Sequence, residues 1–305
     1  MNMGTGKVLA IDLGQSGTSI RLGEFSIESP RGKHAGESSL DALRAAIESI
    51  NFPEKISADC VTLSCTGLYG RVPNPEKYLE LCAEFFGARQ VSVIDDGFAS
   101  YIGALGGKDG VVLTIGGGVV SIGGLKGHYA HRDGLGSTFG DEGGGFWLGR
   151  NAISKALAAQ QGRILDKQMA ELFEAEITAY FDLEVRDGAQ AQTLAINSAK
   201  KILDAAELGM PTAINIVNKG AQLLARTVVS TWLAVEGSAL DAMKLVIQGG
   251  PAHNKNYVNK IVENVEKELP HVMLTESGGD NLDGAIWITE NMSQDVLPFL
   301  RWAAK

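Results

Sequence analysis

The amino-acid sequence predicts a protein of the α/β class, and three features of the chain support this assignment. Short apolar runs rich in β-branched residues are typical of buried strands. Longer glycine-poor stretches, with apolar residues every three or four positions, are typical of helices. The two kinds of segment are interspersed, as in layered α/β folds, and the 38 glycines cluster between them, which indicates tight turns at the strand ends.

The predicted strands are short, whereas the predicted helices are long. In the longest predicted helix, Ile214, Val217 and Ala221 recur at the spacing of one helix face. The predicted strands are Val8–Ile11, Val61–Ser64, Val91–Ile94, Val111–Ile115 and Leu245–Gln248. The predicted helices are Asn151–Gln161, Lys167–Phe181, Thr193–Leu208 and Thr212–Val235.

The composition excludes several classes of protein. The chain has 305 residues, 45% of them apolar and 21% charged, as in ordinary globular proteins. A formal charge of −9 argues against nucleic-acid partners, because phosphate backbones recruit clustered Lys and Arg. Three cysteines without paired CxxC spacing exclude a disulfide scaffold or a four-cysteine metal site within one chain. No signal peptide or membrane span is recognisable, so we expect a reduced, cytoplasmic protein without membrane contact.

A strand, a glycine turn and a returning strand occur twice in the chain, about a hundred residues apart. The first copy runs from Val8 through Gly14 to Gly23, and the second from Val111 through Gly116 to Gly123. Each copy predicts a hairpin whose tight turn needs residues with positive φ. Two copies at this separation suggest a duplicated domain, with two unrelated hairpins as the alternative.

The two glycine hairpins are candidates for binding a polyphosphate from two sides, because glycine turns leave backbone amides accessible to phosphate oxygens. A P-loop is excluded, since Gly6-Lys7 precedes the first strand and is followed by Val8. A dinucleotide fingerprint is also excluded, because both glycine turns connect strand to strand rather than strand to helix.

Three acidic positions are candidates for chemistry. Asp12, at the end of the first strand, is suited to hold Mg2+ through water beside phosphates, with a turn-capping role as the alternative. Asp95 and Asp96 follow the strand Val91–Ile94, where one acid could cap a helix and the other could act as a general base. The stretch Gly134–Arg150 places Asp141 and Glu142 between glycines ahead of a helix, which suits bonding to sugar hydroxyls; a plain surface loop is the alternative.

These motifs, taken in order, resemble those of the N-acetylglucosamine kinase and BadF/BadG/BcrA/BcrD ATPase branch of the actin–sugar kinase–Hsp70 superfamily, over nearly the whole chain. The Gly140-Asp141-Glu142-Gly143 stretch, followed by Phe146-Trp147-Leu148-Gly149, is the most specific of them. The others are Ile11-Asp12-Leu13-Gly14-Gln15-Ser16-Gly17-Thr18, Ile94-Asp95-Asp96-Gly97, the turn Ile115–Val119 and Val246-Ile247-Gln248-Gly249-Gly250.

The resemblance implies two ribonuclease-H-like, actin-like ATPase lobes around a central cleft. The first lobe would cover residues 1–108, and a C-terminal helix at 295–305 would pack back on it. The second lobe would cover residues 109–294, with a helical insertion at about 150–237. ATP would lie between the two hairpins and a sugar at the bottom of the cleft.

The resemblance also implies a role for each motif residue. Asp96 would be the catalytic base and Asp12 would organise Mg2+. ATP and its phosphates would be bound by Gly14, Gln15, Ser16, Gly17, Thr18, Gly116, Gly117, Gly118, Gly249 and Gly250. The sugar would be bound by Thr66, Gly67, Asp96, Gly134, Gly136, Asp141 and Glu142.

Four positions depart from the family pattern, two of them in the second phosphate turn. The second phosphate turn reads Gly116-Gly117-Gly118-Val119 where Gly-Thr-Gly-Ser is usual, so backbone amides alone would bind phosphate there. Asp95 replaces the usual Asn or Thr before the base, and its charge is expected to raise the pKa of Asp96. Leu135 replaces a Trp that is common in the sugar loop.

The resemblance favours an ATP-dependent kinase of an amino sugar, with ATP and Mg2+ as cofactors and N-acetyl-D-glucosamine 6-phosphate as the expected product. Glucosamine is the alternative acceptor, and a BadF-type ATPase or a sugar-sensing protein are the alternative functions. BadF-type activators hold an iron–sulfur cluster with cysteines near the lobe junction, but this chain has none after Cys82. The expected partners are a sugar and ATP, with a homodimer as the candidate assembly.

Overall fold

The computed structural model describes residues 7–34, 36–52, 56–186 and 188–305, and the chain divides into two compact units. Unit 1 comprises Met1–Lys108 and Glu276–Lys305, and unit 2 comprises Asp109–Thr275. We expected the second lobe to extend to residue 294, and this expectation was wrong, because the chain returns to unit 1 at Glu276. Elements are numbered in chain order as β1–β11 and α1–α10.

Unit 1 contains a six-stranded sheet in the order β11-β5-β4-β1-β2-β3. Strands β1, β4 and β5 are parallel, while β2, β3 and β11 are antiparallel to their neighbours. The strands are β1 (Val8–Leu13), β2 (Thr18–Leu22), β3 (Phe25–Ser29), β4 (Cys60–Cys65), β5 (Gln90–Asp95) and β11 (Leu300–Ala304). The helices are α1 (Ser39–Ser49), α2 (Glu76–Phe86), α3 (Asp96–Leu105) and α10 (Asn281–Asn291).

Unit 2 contains a five-stranded sheet in the order β10-β9-β6-β7-β8, with β6, β9 and β10 parallel. The strands are β6 (Gly110–Ile115), β7 (Val119–Leu125), β8 (His128–Asp133), β9 (Met243–Gln248) and β10 (Val272–Leu274). The helices are α4 (Gly145–Gln160), α5 (Lys167–Leu172), α6 (Glu174–Phe181), α7 (Ala189–Glu207), α8 (Pro211–Ala234) and α9 (Lys255–Glu266).

The two sheets share one topology, which supports the predicted duplication. Reading β3-β2-β1-β4-β5 against β8-β7-β6-β9-β10 gives the same strand order and the same parallel or antiparallel relation at every step. The sixth strand of unit 1, β11, is the one addition. The α/β class and both glycine hairpins are therefore confirmed.

Each face of the unit 1 sheet is covered by helices. In β4, Val61 and Leu63 point into the apolar core that α1 and α2 cover, whereas the Thr62 hydroxyl donates to the carbonyl oxygen of Ala285 on α10, at 3.2 Å. This alternation follows from the two-residue period of a strand. Gly103 and Gly284 let α3 and α10 pack closely, because a Cβ at either position would overlap backbone of the other helix or its N-cap. This packing explains why α10 belongs to unit 1.

The C-terminal segment is a strand and not the predicted helix. Leu300–Ala304 pairs antiparallel with β5, with Leu300 opposite Ile94, and Leu300 is fully buried. Pro298 disfavours a continuous helix over residues 295–305, since proline removes a donor and restricts the residue before it. The segment instead completes the edge of the sheet.

The four helices predicted in unit 2 are present, with one difference. The predicted helix Lys167–Phe181 is divided at Phe173, which caps both α5 and α6 and has a fully buried side chain. Buried residues of α4, α7, α8 and α9 pack into one apolar core with β6, β7 and β9. None of the helices in the described ranges is both long enough and apolar enough to cross a membrane.

Candidate active site

Polar side chains meet at one edge of the unit 1 sheet. The parallel register places Leu13 of β1 beside Cys65 of β4 and Cys65 beside Asp95 of β5. The carboxyl ends of the three strands therefore lie together, as at the ligand-binding edge of other α/β sheets. This edge collects Asp12, Thr66 and the pair Asp95–Asp96, as the sequence predicts.

Asp12 is held by two donors from distant parts of the chain. Its Oδ1 accepts hydrogen bonds from the Ser64 hydroxyl at 2.6 Å and from Asn281 Nδ2 at 3.2 Å. Burial raises the pKa of Asp12, the two hydrogen bonds oppose this shift, and the nearby charge of Asp280 adds to it. Asn281 begins α10 and was not predicted, because no local signal links it to a residue 269 positions away.

Asp95 is the helix cap of the acidic pair. It is 1% exposed, and its carboxylate accepts from the Gly97 amide at 3.1 Å and from the Gly70 amide at 2.9 Å. It is the N-cap of α3. The capping role considered for one of the two acids therefore belongs to Asp95, which leaves Asp96 free for chemistry.

Asp96 is a carboxylate with a strongly shifted pKa. Burial raises the pKa to about 7, and the charges of Asp95 and Asp12 add to the shift. Hydrogen bonds from the Thr66 hydroxyl and the Gly97 amide act in the opposite direction. The effect of Asp95 has the sign that the sequence predicts. A carboxyl group that titrates near neutral pH is well matched to general-base chemistry.

The first glycine turn connects β1 to β2. Its four residues are closed by a hydrogen bond from the Gly14 amide to the Gly17 carbonyl at 2.9 Å. Neither glycine has the positive φ that we expected. Gly17 is instead required by close approach, because a Cβ there would lie 2.7 Å from the Ser29 carbonyl oxygen. A surface hollow borders the whole turn, Gly14 to Thr18, and the chain from Glu28 to Pro30.

The Thr18 side chain has a structural role. Its hydroxyl donates to the Arg31 carbonyl at 2.7 Å, and the residue is 2% exposed. The buried Thr18 hydroxyl already donates its proton, so the predicted role of Thr18 in binding phosphate would rest on its backbone amide. The accessible groups of the turn belong to Gln15 and Ser16, both of which are exposed.

Lys33 is a cation at this site that the sequence analysis missed. Its amide donates to the Gly14 carbonyl at 2.9 Å, which fixes the backbone beside the first turn. Its ammonium reaches Gly67, where a Cβ would lie 2.8 Å from Nζ. Gly67 has a φ of 71° and directly follows Thr66, the hydrogen-bond partner of Asp96. No motif marks Lys33, because its position depends on the packing of the loop after β3.

The second glycine turn in unit 2 is supported by Asp141. The turn Gly116–Gly118 closes with a hydrogen bond from the Gly116 amide to the Gly118 carbonyl at 2.8 Å, again without positive φ. Asp141 Oδ1 accepts from the Val119 amide at 3.0 Å. A Cβ at Gly118 would lie 2.7 Å from Asp141 Oδ2, so the carboxylate occupies the space beside the turn.

The loop predicted to bind the sugar, within Gly134–Arg150, is fixed by the carboxylates of Asp133 and Asp141. The Asp141 amide donates to Asp133 Oδ1 at 2.8 Å, and burial raises the pKa of Asp141. Asp141 is 9% exposed with one oxygen committed to Val119, so its predicted bonding to sugar would rest on the other oxygen. Glu142 is exposed, and Gly134 and Gly136 adopt positive φ. Leu135 and Phe139 are largely exposed at the loop surface.

A cavity of about 740 Å³ in unit 2 brings together three of the residues predicted for ATP. Gly116, Gly117 and Gly250 line it, together with apolar and polar side chains of α7, including Ile196 and Lys200. Gly249 lies behind the lining with a φ of 100°, and a Cβ there would overlap the Ile115 carbonyl. The size falls within the range of small-molecule sites, and the mixed lining suits a nucleoside.

The predicted site residues thus fall into two groups, one in each unit. Asp12, Thr66, Gly67, Asp96 and the first turn belong to unit 1. The second turn, Gly249, Gly250 and the sugar loop belong to unit 2.

The residues around Asp12 fit a magnesium ion. Within the described ranges, only Oδ1 of Asp12 accepts hydrogen bonds, so Oδ2 is available. Asp12 lies near the negative charge of Asp280, and Asp96 lies near those of Asp95 and Asp12; a divalent cation would relieve this repulsion. One carboxylate with water and phosphate oxygens is a usual Mg2+ environment. The described residues contain no group of three or more acidic, His or Cys side chains placed to hold a metal ion.

Comparison with known proteins gives a family and a fold. Residues 2–286 match the model of the BadF/BadG/BcrA/BcrD ATPase family. A comparison with curated proteins gives no match.

Solved structures of similar fold include a proposed N-acetylglucosamine kinase from Chromobacterium violaceum, with a TM-score of 0.64 at 19% identity over 92% of this chain and 98% of that one. A second proposed N-acetylglucosamine kinase, from Porphyromonas gingivalis, has a TM-score of 0.63 at 15% identity, over 94% and 100%. A ROK family glucokinase from Streptomyces griseus, in complex with glucose and AMPPNP, has a TM-score of 0.56 at 16% identity, over 92% and 98%. At these identities the likeness establishes the fold.

Proposed function

We propose that this chain, which belongs to the BadF/BadG/BcrA/BcrD ATPase family, is an ATP-dependent kinase that phosphorylates an amino sugar. The observation that carries the proposal is Asp96, a carboxylate that lies near Asp12 at the carboxyl edge of the unit 1 sheet and has a pKa raised to about 7. A sugar hydroxyl needs a base to remove its proton as it attacks phosphorus, and Asp96 supplies one. Structural neighbours described as proposed N-acetylglucosamine kinases and as a glucokinase support the same reaction class.

In the proposed mechanism, Asp96 accepts the proton of the attacking hydroxyl on its carboxylate. The hydrogen bond from the Thr66 hydroxyl orients that carboxylate, while the Asp95 cap fixes the start of the helix that carries it. Phosphoryl transfer depends mainly on positioning and charge stabilisation. Backbone amides of the first turn would contact phosphate, and the Lys33 ammonium would offset negative charge near the acceptor.

Asp12 would hold Mg2+ through water, and the ion would offset the charge on the phosphates of ATP. Asn281 and Ser64 keep the Asp12 carboxylate in one orientation by donating to the same oxygen. In the cavity of unit 2, Gly250 would contact the adenosine half of ATP, and the amides of Gly116 and Gly117 would contact its phosphates.

The acceptor we propose is N-acetyl-D-glucosamine, phosphorylated at its 6-hydroxyl, with glucosamine as the second candidate. Two structural neighbours described as proposed N-acetylglucosamine kinases support the choice. The exposed Leu135 and Phe139 offer apolar surface to an acetyl methyl, whereas Glu142 would favour the ammonium of glucosamine. A methyl-sized difference is worth only about 1–3 kcal/mol, so we expect activity on both sugars.

An ATPase that activates an iron–sulfur partner is the competing function. Its cluster would need accessible thiolates, but Cys60, Cys65 and Cys82 are buried in unit 1. Burial raises the pKa of Cys60 to about 11 and that of Cys82 to about 12. These thiols are poorly suited to ligate a cluster, which favours the kinase.

The experiment that tests the acceptor measures kcat/KM for N-acetylglucosamine, glucosamine and glucose side by side. We expect N-acetylglucosamine to be preferred and glucosamine to be within about 10–200-fold of it. A preference for glucose over both amino sugars would overturn the proposed acceptor class.

The activity should depend on pH through Asp96. The pKa of this carboxyl is raised, so it is protonated and inactive below about 7. We therefore expect kcat/KM to fall as pH decreases through about 7, about tenfold per pH unit below it. In Asp95→Asn, loss of the neighbouring charge should move this fall to lower pH. A kcat/KM that is unchanged from pH 8 down to about pH 5 would contradict the assignment.

Substitutions at two adjacent glycines, Gly249 and Gly250, distinguish an effect on nucleotide binding from an effect on folding. A Cβ at Gly250 meets open space on the cavity side, so Gly250→Ala should fold normally and raise the KM for ATP by about tenfold. A Cβ at Gly249 overlaps the Ile115 carbonyl, so Gly249→Ala should lower the free energy of unfolding by about 1–3 kcal/mol. Thermal unfolding and ATP titrations on both variants measure these effects. An unchanged KM in Gly250→Ala would remove the cavity from the ATP site.

A further inference from the structure

The helical part of unit 2 contains a second cavity, of about 330 Å³, that the proposed reaction does not use. Helices α4, α6 and α7 and their connecting segments line it. It shares no lining residue with the cavity assigned to adenosine. Its volume is at the lower end of the range for small-molecule sites.

The polar lining of this cavity is cationic. Arg150 on α4, Arg163 after α4 and Arg186 before α7 contribute to it, and the described lining residues include no Asp or Glu. A lining with three arginines and no acid among its described residues is unusual in a chain with a formal charge of −9. The cavity assigned to adenosine, by contrast, is lined by both acids and lysines, including Asp204, Glu207, Lys200 and Lys255.

The three guanidinium groups keep donors available. Arg163 uses Nε on Gln161, at 2.9 Å, and Arg186 uses one Nη on the Phe181 carbonyl, also at 2.9 Å. Arg150 has no hydrogen-bond partner in the described part of the chain. All ion pairs found within the described ranges involve other residues. Three like charges around one cavity repel each other, and an anion removes that repulsion.

Neutral groups complete the lining. Ser154 and Gln192 offer hydrogen-bond donors, and Tyr180 offers a ring and a hydroxyl. Arginine binds phosphate bidentately, which distinguishes it from lysine as a phosphate ligand. The volume exceeds the need of a lone phosphate and leaves room for the small organic part of an ester.

We propose that this cavity, the arginine cavity, binds the phosphate group of a small phosphomonoester through Arg150, Arg163 and Arg186. This proposal is independent of the proposed kinase reaction. Inorganic phosphate shares the recognising chemistry, so the test compares the two ligands.

Isothermal titration calorimetry at constant ionic strength tests the proposal. An excess of AMPPNP is present to occupy the two glycine turns, so that phosphate binding at those turns does not contribute to the signal. The probes are inorganic phosphate, glucose 6-phosphate and glucose. We expect glucose 6-phosphate to bind with a Kd of about 1 mM or below and glucose not to bind at this site. Tighter binding of the ester than of phosphate identifies an ester ligand, and equal binding identifies phosphate itself; either supports a phosphate site.

The variants assign the binding to the arginine cavity. Arg150→Gln with Arg163→Gln should weaken binding of the phosphate compounds at least tenfold, while Arg226→Gln, an exposed arginine on α8 outside the cavity, should not change it. Because Arg150 and Arg163 are exposed, the double variant should keep its melting temperature. If the double variant is destabilised, the single variant Arg163→Gln is measured in its place. Binding that is absent in the wild type, or the same in the double variant and the wild type, would overturn the proposal.

Discussion

Replacement of Asp96 by Asn should lower kcat by roughly 10²–10⁴ while the sugar and ATP still bind. The amide keeps the shape of the carboxylate but cannot accept the proton of the attacking hydroxyl. The fold should be retained, because Asp95 and not Asp96 caps α3. Steady-state kinetics and equilibrium binding of both substrates measure the effect.

The matched control for this variant is Asp59→Asn. Asp59 is an exposed aspartate of unit 1 that forms a surface ion pair with Arg89 at 2.6 Å. Exposed pairs contribute little to stability, so this variant should have wild-type kcat and a nearly unchanged melting temperature. Near-normal turnover in Asp96→Asn would remove Asp96 from the role of base.

Replacement of Asp12 should abolish Mg2+-dependent turnover. Asp12→Ala removes the carboxylate, and we expect kcat to fall by roughly 10³-fold or more, since charge stabilisation by a metal is worth several kcal/mol. Asp12→Asn is the sharper variant, because its Oδ1 can still accept from Ser64 and Asn281 while the charge is lost. Activity titrated against Mg2+ concentration, together with thermal unfolding, measures both effects.

The two Asp12 variants distinguish chemistry from structure. If Asp12 only caps its turn, Asp12→Asn should keep both activity and stability. An unfolded Asp12→Ala together with an active Asp12→Asn would support that structural role. Unchanged Mg2+ dependence in a folded variant would remove Asp12 from the metal site.

The parts of the fold that the sequence predicts are those with local signals. Buried strands, long amphipathic helices and both hairpins follow from runs of neighbouring residues, and the acids at strand ends follow from the same runs. Asp12 and Asp96 meet in space because parallel strands align their carboxyl ends, which needs no further information.

The parts that the sequence does not predict depend on packing between distant segments. Asn281 reaches Asp12, and Lys33 reaches Gly67, through contacts that no local pattern marks. Thr18 belongs to the motif that predicts phosphate binding, but its hydroxyl donates a hydrogen bond to the Arg31 carbonyl. Gly17 and Gly118 are required by crowding rather than by positive φ, which depends on the neighbouring Ser29 and Asp141.

In the proposed reaction, phosphate passes from ATP to a sugar and not to water. Phosphorus NMR of a reaction containing ATP, Mg2+ and N-acetylglucosamine tests it directly, because a sugar 6-phosphate and inorganic phosphate give separate signals. The proposed function predicts that ADP and a sugar 6-phosphate appear in equal amounts, and that little ADP forms without sugar. Release of inorganic phosphate at the same rate with and without any amino sugar or hexose would contradict it.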